Sequence, residues 1–254
     1  MSNKLKELID LYKSKKFVQA EKKCSDLLKK IKPNHEILNL YAVILFELER
    51  YDQSILQLNK SIEIKSDYIQ AYNSLGNVYF KKNDFEKAIL NFDKAIKLKP
   101  DYFEAFSNKA NVYYKMKNYE EALKYYNSSI SINKNFQSAH EGVARIFKIL
   151  EKFDDAMLAW QNVLKINPLN VSAHAQLGDI LFDKNILDKA AFHYEKALLI
   201  DPEKDFLFSN FLLTKTKMCV WNNLDKDLEK LKFNILSNKK VSTPYSSLTF
   251  FDDP

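Results

Sequence analysis

Apolar and polar residues follow a helical beat along this chain, and the beat itself recurs. From Ile69, the residues Tyr72, Leu75, Gly76 and Tyr79 stand three or four apart on one face, and Ala88, Phe92 and Ala95 then repeat the same spacing. The spacing predicts two amphipathic helices. Between them Asn83-Asp84 reads as a turn, because both residues accept turn conformations and an Asp or Asn oxygen can cap the following helix. Pro100, just after Leu98-Lys99, stops the second helix.

The helix pair is one of several. Small residues recur every 34 positions at Ala20, Ser54, Ala88, Ala122, Ala156 and Ala190, and the other apolar places move with them. C-terminal to the first-read unit they are Phe106, Ala110, Tyr113 and Tyr126, then His140, Ala144, Phe147, Trp160 and Pro168, then His174, Gly178, Leu181, Tyr194, Ala197 and Pro202. Toward the N-terminus, Ala42, Leu45, Leu58 and Ser61, and before them Leu8, Leu11, Cys24 and Leu27, keep the pattern, with Pro33 one place late. A fixed period of this length marks a stacked helical array in which neighbours complete one another's core.

On these residues the unit resembles the tetratricopeptide repeat (TPR), with large, small and aromatic positions on the first helix and alanine, aromatic, alanine and proline on the second. Gly76 would let the paired helices approach closely, and Ala88 stands where a larger side chain would separate them. The resemblance implies an all-α fold, a TPR α-solenoid forming a right-handed superhelix of antiparallel helix pairs. Six units are expected at 1–34, 35–68, 69–102, 103–136, 137–170 and 171–204. A capping helix pair over 205–238 and a tail or junction over 239–254 follow.

First helices usually line the binding groove of such an array. The expected groove side chains are Asn73, Asn77, Phe80, Asn108, Asn111, Tyr114, Arg145, Lys148, Gln176 and Asp179, with Ser107, Glu141 and Phe182 beside them. Asparagine amides both donate and accept, which suits the backbone of an extended peptide; polar groove positions can also be plain solvated surface. A clamp for acidic chaperone tails would need cations on successive first helices. Asn77 and Asn108 would suit it, but Asn73, Ser138 and Gly142 stand where those cations belong.

Composition narrows the chemistry. With glycine only at 76, 142 and 178, no phosphate-cradling loop can be built, and neither a nucleophile elbow nor a zinc signature occurs. Acid pairs such as Glu120-Glu121 and Asp154-Asp155 begin second helices, where carboxylates favour the helix dipole. No catalytic residue, cofactor site or metal site is therefore assigned. His140 and His174 share one repeat place without carboxylates or cysteines beside them, and His35 and His193 have no companions in sequence. The net charge of +6 comes from dispersed lysine pairs that read as solvated faces, so nucleic acid is not an expected partner. The longest apolar run, 38–46, is far below a membrane span, and the N-terminal lysines have no apolar stretch behind them. A cytoplasmic protein with reduced Cys24 and Cys219 is expected, its oligomeric state open.

After Pro202 the wording changes. Cys219-Val220-Trp221 with Leu224-Asp225 and Leu228, then Val241-Ser242-Thr243-Pro244-Tyr245 and Phe251-Asp252-Asp253-Pro254, resemble the junction of O-linked N-acetylglucosamine transferases and SPINDLY-like proteins. That resemblance implies an array recruiting protein substrates to a covalent or separate glycosyltransferase domain that does not lie within these residues. The family's groove asparagines recur only in part here, at a place holding Leu40, Ser74, Asn108, Gly142, Gln176 and Asn210. The open alternative is a stand-alone adaptor or assembly protein.

Overall fold

The structure, a computed structural model, describes residues 3–204, 206–220 and 222–236. Those residues form helices joined by short turns, in two compact units, Met1–Lys134 and Asn135–Pro254. The first unit holds α1 (Asn3–Lys13), α2 (Phe17–Leu28), α3 (His35–Glu47), α4 (Tyr51–Ile64), α5 (Ile69–Lys81), α6 (Phe85–Leu98), α7 (Phe103–Lys115) and α8 (Tyr119–Ile132). The second holds α9 (Gln137–Ile149), α10 (Phe153–Ile166), α11 (Val171–Asp183), α12 (Leu187–Ile200), α13 (Leu207–Lys217) and α14 (Leu224–Leu236). Odd-numbered helices pair with the even-numbered ones that follow. In the first unit successive odd helices also touch, α1 with α3, α3 with α5 and α5 with α7, which makes them its inner layer.

Each pair is closed by one turn geometry. Lys15, Glu49, Asn83, Lys117, Glu151, Asn185 and Cys219 are left-handed, with φ between 55 and 59°, and stand 34 residues apart. At Asn83 the N–H bonds the Phe80 carbonyl at 3.0 Å, and the Asp84 N–H reaches back to Tyr79 at 2.9 Å. This is the Schellman arrangement that satisfies the last carbonyls of a helix. The expected turn at Asn83-Asp84 is found, and Asp84 caps α6 by accepting from the Lys87 N–H. The backbone beat continues at Cys219, although the small-residue pattern has stopped.

The small residues sit where the paired helices come closest. Ala20, Ser54, Ala88, Ala122, Ala156 and Ala190 are fully buried. A Cβ on Gly76 would lie 2.4 Å from the Phe92 ring, and one on Gly178 would lie 2.6 Å from the Tyr194 ring. These contacts leave no room for a methyl group. Serine replaces alanine where its hydroxyl can tie one helix to the other: Ser61 donates to the His35 carbonyl and Ser129 to that of Phe103, each at 2.8 Å.

Leu207, Phe208, Leu212 and Leu231 are buried on α13 and α14, which occupy the stretch read as a capping pair. Trp221, the segment 241–245 and the tail to Pro254 lie outside the described residues.

Two places depart from the apolar pattern. Lys109 takes the place that Leu75, Val143 and Leu177 hold in other repeats, yet it is only 5% exposed. Its ammonium bonds Asp93 at 2.6 Å and lies 4.2 Å from the centre of the Tyr125 ring, so ion pairing and a cation–π contact offset the loss of water. His193, expected to be alone, meets His174: their Nδ1 atoms are 3.0 Å apart. That pairing corrects the sequence reading, because the 34-residue register does not reveal the 19-residue contact between a first and a second helix. Burial holds both imidazoles below the ordinary value of 6.5, with His193 pushed further, to about 4, by His174 beside it.

Two outcomes are expected. Replacing Glu151 by glycine removes the Cβ strain of a left-handed residue and should stabilise the second unit by about 0.5–1 kcal/mol, read from the urea unfolding midpoint. The histidine pair should make stability depend on pH. Because both folded values are depressed, the unfolded chain takes up the protons first, so this contribution is complete above 6.5 and is lost as pH falls toward 4. Between pH 6.5 and about 5, above the carboxylate range, the melting temperature should fall more in the wild type than in His193→Tyr.

Candidate ligand groove on the first helices

In the first unit the inner helices present amides and aromatic rings. The Asn108 Nδ2 on α7 donates to Asn73 Oδ1 on α5 at 3.0 Å, so one amide pair bridges successive repeats. Asn111 accepts from the buried Tyr126 hydroxyl of α8. Asn77 and Ser74 line a small cavity of about 140 Å³ with Tyr12, Val43, Phe46 and Glu47. Phe80 and Tyr114 each pack on the aromatic residue five places later, Phe85 and Tyr119, across the closing turn. Tyr12 with Phe17 and Phe46 with Tyr51 repeat that contact in the earlier pairs.

In the second unit the corresponding first helices carry charge. The Lys148 ammonium on α9 donates to Gln176 at 2.9 Å and approaches Asp179 at 3.4 Å, both on α11. Asp179 gathers further donors, Tyr194 Oη at 2.9 Å, Gln176 Nε2 at 3.3 Å and Asn210 Nδ2 at 3.5 Å. Burial and the neighbouring Asp179 carboxylate push the Tyr194 phenol far above its ordinary range, so it serves as a fixed donor. A cavity of about 300 Å³ opens here, lined by Lys148, Asp179, Phe182, Asp183, Tyr194, Asn210 and Leu213. Lys217 on α13 lies 4.1 Å from the centre of the Phe182 ring. Arg145 is exposed one turn from Lys148.

The repeat explains which groove residues are tied down. Tyr126 bonds Asn111, and Tyr194 bonds Asp179 at the equivalent place two repeats later. Between them in sequence, Trp160 faces the corresponding place of Arg145, a residue with no acceptor atom, and the buried Trp160 Nε1 has no partner among the described residues. Asn111 and Asp179 therefore do structural work, each holding a tyrosine hydroxyl of the following helix. The sequence carried this signal in the polar residue 15 places before each tyrosine. Tyr12, Tyr194 and Asn210, which the expected groove side chains did not include, line these cavities from α1, α12 and α13.

Among the described residues no group of three or more His, Cys, Asp or Glu side chains could hold a metal ion, and no helix is long and apolar enough to cross a membrane. The arrangement offers a polar inner face built from successive helices, the geometry of a repeat scaffold.

Comparisons with known proteins agree with that class. The sequence profile described as TPR repeat matches residues 43–83 and 76–117, and two described as tetratricopeptide repeat match 103–136 and 171–204. The chain is a tetratricopeptide-repeat protein with an all-α solenoid fold. It is 34% identical over 86 residues to tetratricopeptide repeat protein 37 of Xenopus laevis, a match spanning 32% of this chain and 6% of that protein. The fold is similar to that of PilF from Pseudomonas aeruginosa, with a TM-score of 0.70, 15% identity and 78% and 90% of the two chains covered. It is also similar to YrrB, described as a TPR protein with an unusual peptide-binding site, with a TM-score of 0.52, 22% identity and 71% and 93% covered.

If Asp179 anchors this layer, Asp179→Ala should strand the Tyr194 hydroxyl and lower stability by roughly 2–3 kcal/mol. Asp179→Asn, which keeps an acceptor for Tyr194, should cost less than half as much; urea unfolding midpoints of the two variants check this.

Proposed function

We propose that this protein is an interaction scaffold that holds an extended peptide segment of a partner along the first helices of Met1–Lys134. The observation that carries the reading is the Asn73–Asn108 bridge between successive inner helices. Each amide spends one group in the bridge and keeps others that match a peptide's alternating N–H and C=O. Phe80 and Tyr114, half-buried beside them, provide apolar area for ligand side chains. The peptide-binding site named for YrrB supports the same use of this fold.

The second unit contributes specificity through charge. Lys148 and Arg145 are cationic, and Asp179 and Asp183 are anionic, so a partner engaging this part carries charges of both signs. Of the finer readings, the adaptor is preferred over recruitment to a glycosyltransferase. The latter rests on resemblance from Asn210 onward, and Leu212 and Leu231 in that region have a sufficient role in packing.

The test is a peptide selected from an unbiased displayed library against the whole chain. Asn73→Ala with Asn108→Ala should weaken selected peptides about tenfold by calorimetry. The loss should be similar for different sequences, since backbone groups are being read. Selected peptides whose affinity ignores both changes would place the binding surface elsewhere.

A further inference from the structure

His174 and His193 form a pair that peptide binding does not use. The His174 Nε2 lies 3.2 Å from the Pro168 carbonyl. A carbonyl can only accept, so this nitrogen carries the hydrogen and Nδ1 presents its lone pair. That lone pair points at His193 Nδ1, 3.0 Å away. Two nitrogens bound to one tetrahedral metal ion at about 2.0–2.1 Å stand about 3.3 Å apart, so opening the pair by about 0.3 Å and turning each ring by about 35°, until both lone pairs converge beside the N–N line, makes it a chelate.

We propose that His174 and His193 form a two-imidazole binding site for a borderline divalent transition metal ion, the class that imidazole nitrogens favour. The Pro168 carbonyl acts as the outer partner that fixes the His174 ring and its tautomer. Binding moves the His193 hydrogen from Nδ1 to Nε2, and no oxidation or reduction is involved. His174 also lines an open cavity of about 550 Å³ with Pro168, Leu169, Leu199 and Lys196, so one ring of the pair borders a cavity open to solvent. Two protein ligands with a lysine nearby make this a site of modest affinity, unlike a closed structural zinc centre.

The site sits away from the amide-lined helices, and its test is independent of peptide binding. Ni2+ is titrated calorimetrically into the untagged full chain carrying Cys219→Ser, which removes the exposed thiol. One ion per chain is expected, with a dissociation constant on the order of 10 µM. His174→Phe and His193→Tyr install residues that this chain already uses at equivalent repeat places, Phe106 and Tyr125. Each should weaken binding by about tenfold or more, while His35→Gln and His140→Gln leave it unchanged. A readout free of substitutions is the imidazole nitrogen spectrum, in which Ni2+ should broaden the rings of His174 and His193 ahead of those of His35 and His140. The proposal is overturned by absence of saturable binding below about 1 mM, by affinity that survives both substitutions, or by broadening centred on another histidine.

Discussion

The structure depends on how closely two antiparallel helices can approach within one repeat. Where Gly76 meets Phe92 and Gly178 meets Tyr194, an aromatic ring on the second helix lies against bare backbone on the first. The same ring place is held by Tyr126 and Trp160, which meet alanine at 110 and 144. Close packing of large rings on small residues fixes the spacing and angle of each pair, because interiors at crystal-like density tolerate neither a void nor an added methyl group. Stacking then follows from the apolar faces that one pair cannot bury by itself.

That constraint reaches the groove through single hydrogen bonds. A phenylalanine at the ring place ends inside the core, whereas a tyrosine carries its hydroxyl through to the inner layer and fixes a polar side chain there. Asn111 and Asp179 are positioned in this way by Tyr126 and Tyr194. Asn77, opposite Phe92, has no hydroxyl to meet, and Arg145 opposite Trp160 has no acceptor to offer. The choice among Phe, Tyr and Trp at one buried place therefore decides whether the groove residue above it is held or released. Asn77 and Arg145 are therefore the positions without a bond from the ring below, and Asn111 and Asp179 the positions held by one.

Much of this architecture is legible in the order of residues because a repeat states the same physical problem several times. The helix pairs, their turns and the buried small residues follow from periodicity alone. The left-handed turn residue was hidden, since lysine, glutamate and cysteine at 15, 49, 117, 151 and 219 give no sign of positive φ. Only Asn83 and Asn185 belong to the types that enter this region readily. The turn is imposed by packing on both sides of it, and local preference is overruled. For the same reason the apparent end of the pattern at Pro202 was an end of side-chain identity alone. Backbone geometry carries the beat through Cys219, where Leu212 and Leu231 replace small residues at the last pair.

The places that break the repeat are the ones its regularity cannot explain. Lys109 stands where leucine or valine suffices elsewhere, and its charge is kept in the interior by Asp93, Tyr113 and Tyr125 acting together. Burial alone would lower its ammonium, but the hydrogen bond it donates to Asp93 and the adjoining Tyr125 outweigh this and leave it raised. His174 stands where tyrosine or phenylalanine fills the same space in the third and fourth repeats, and its partner His193 stands where Tyr125 does. Repeats without these polar groups fold on the same plan, so helix stacking does not require them. A buried polar group that its own repeats show to be dispensable for the fold is a better indicator of chemistry than the same group in a fold without internal controls, and on that ground the histidine pair separates itself from the scaffold around it.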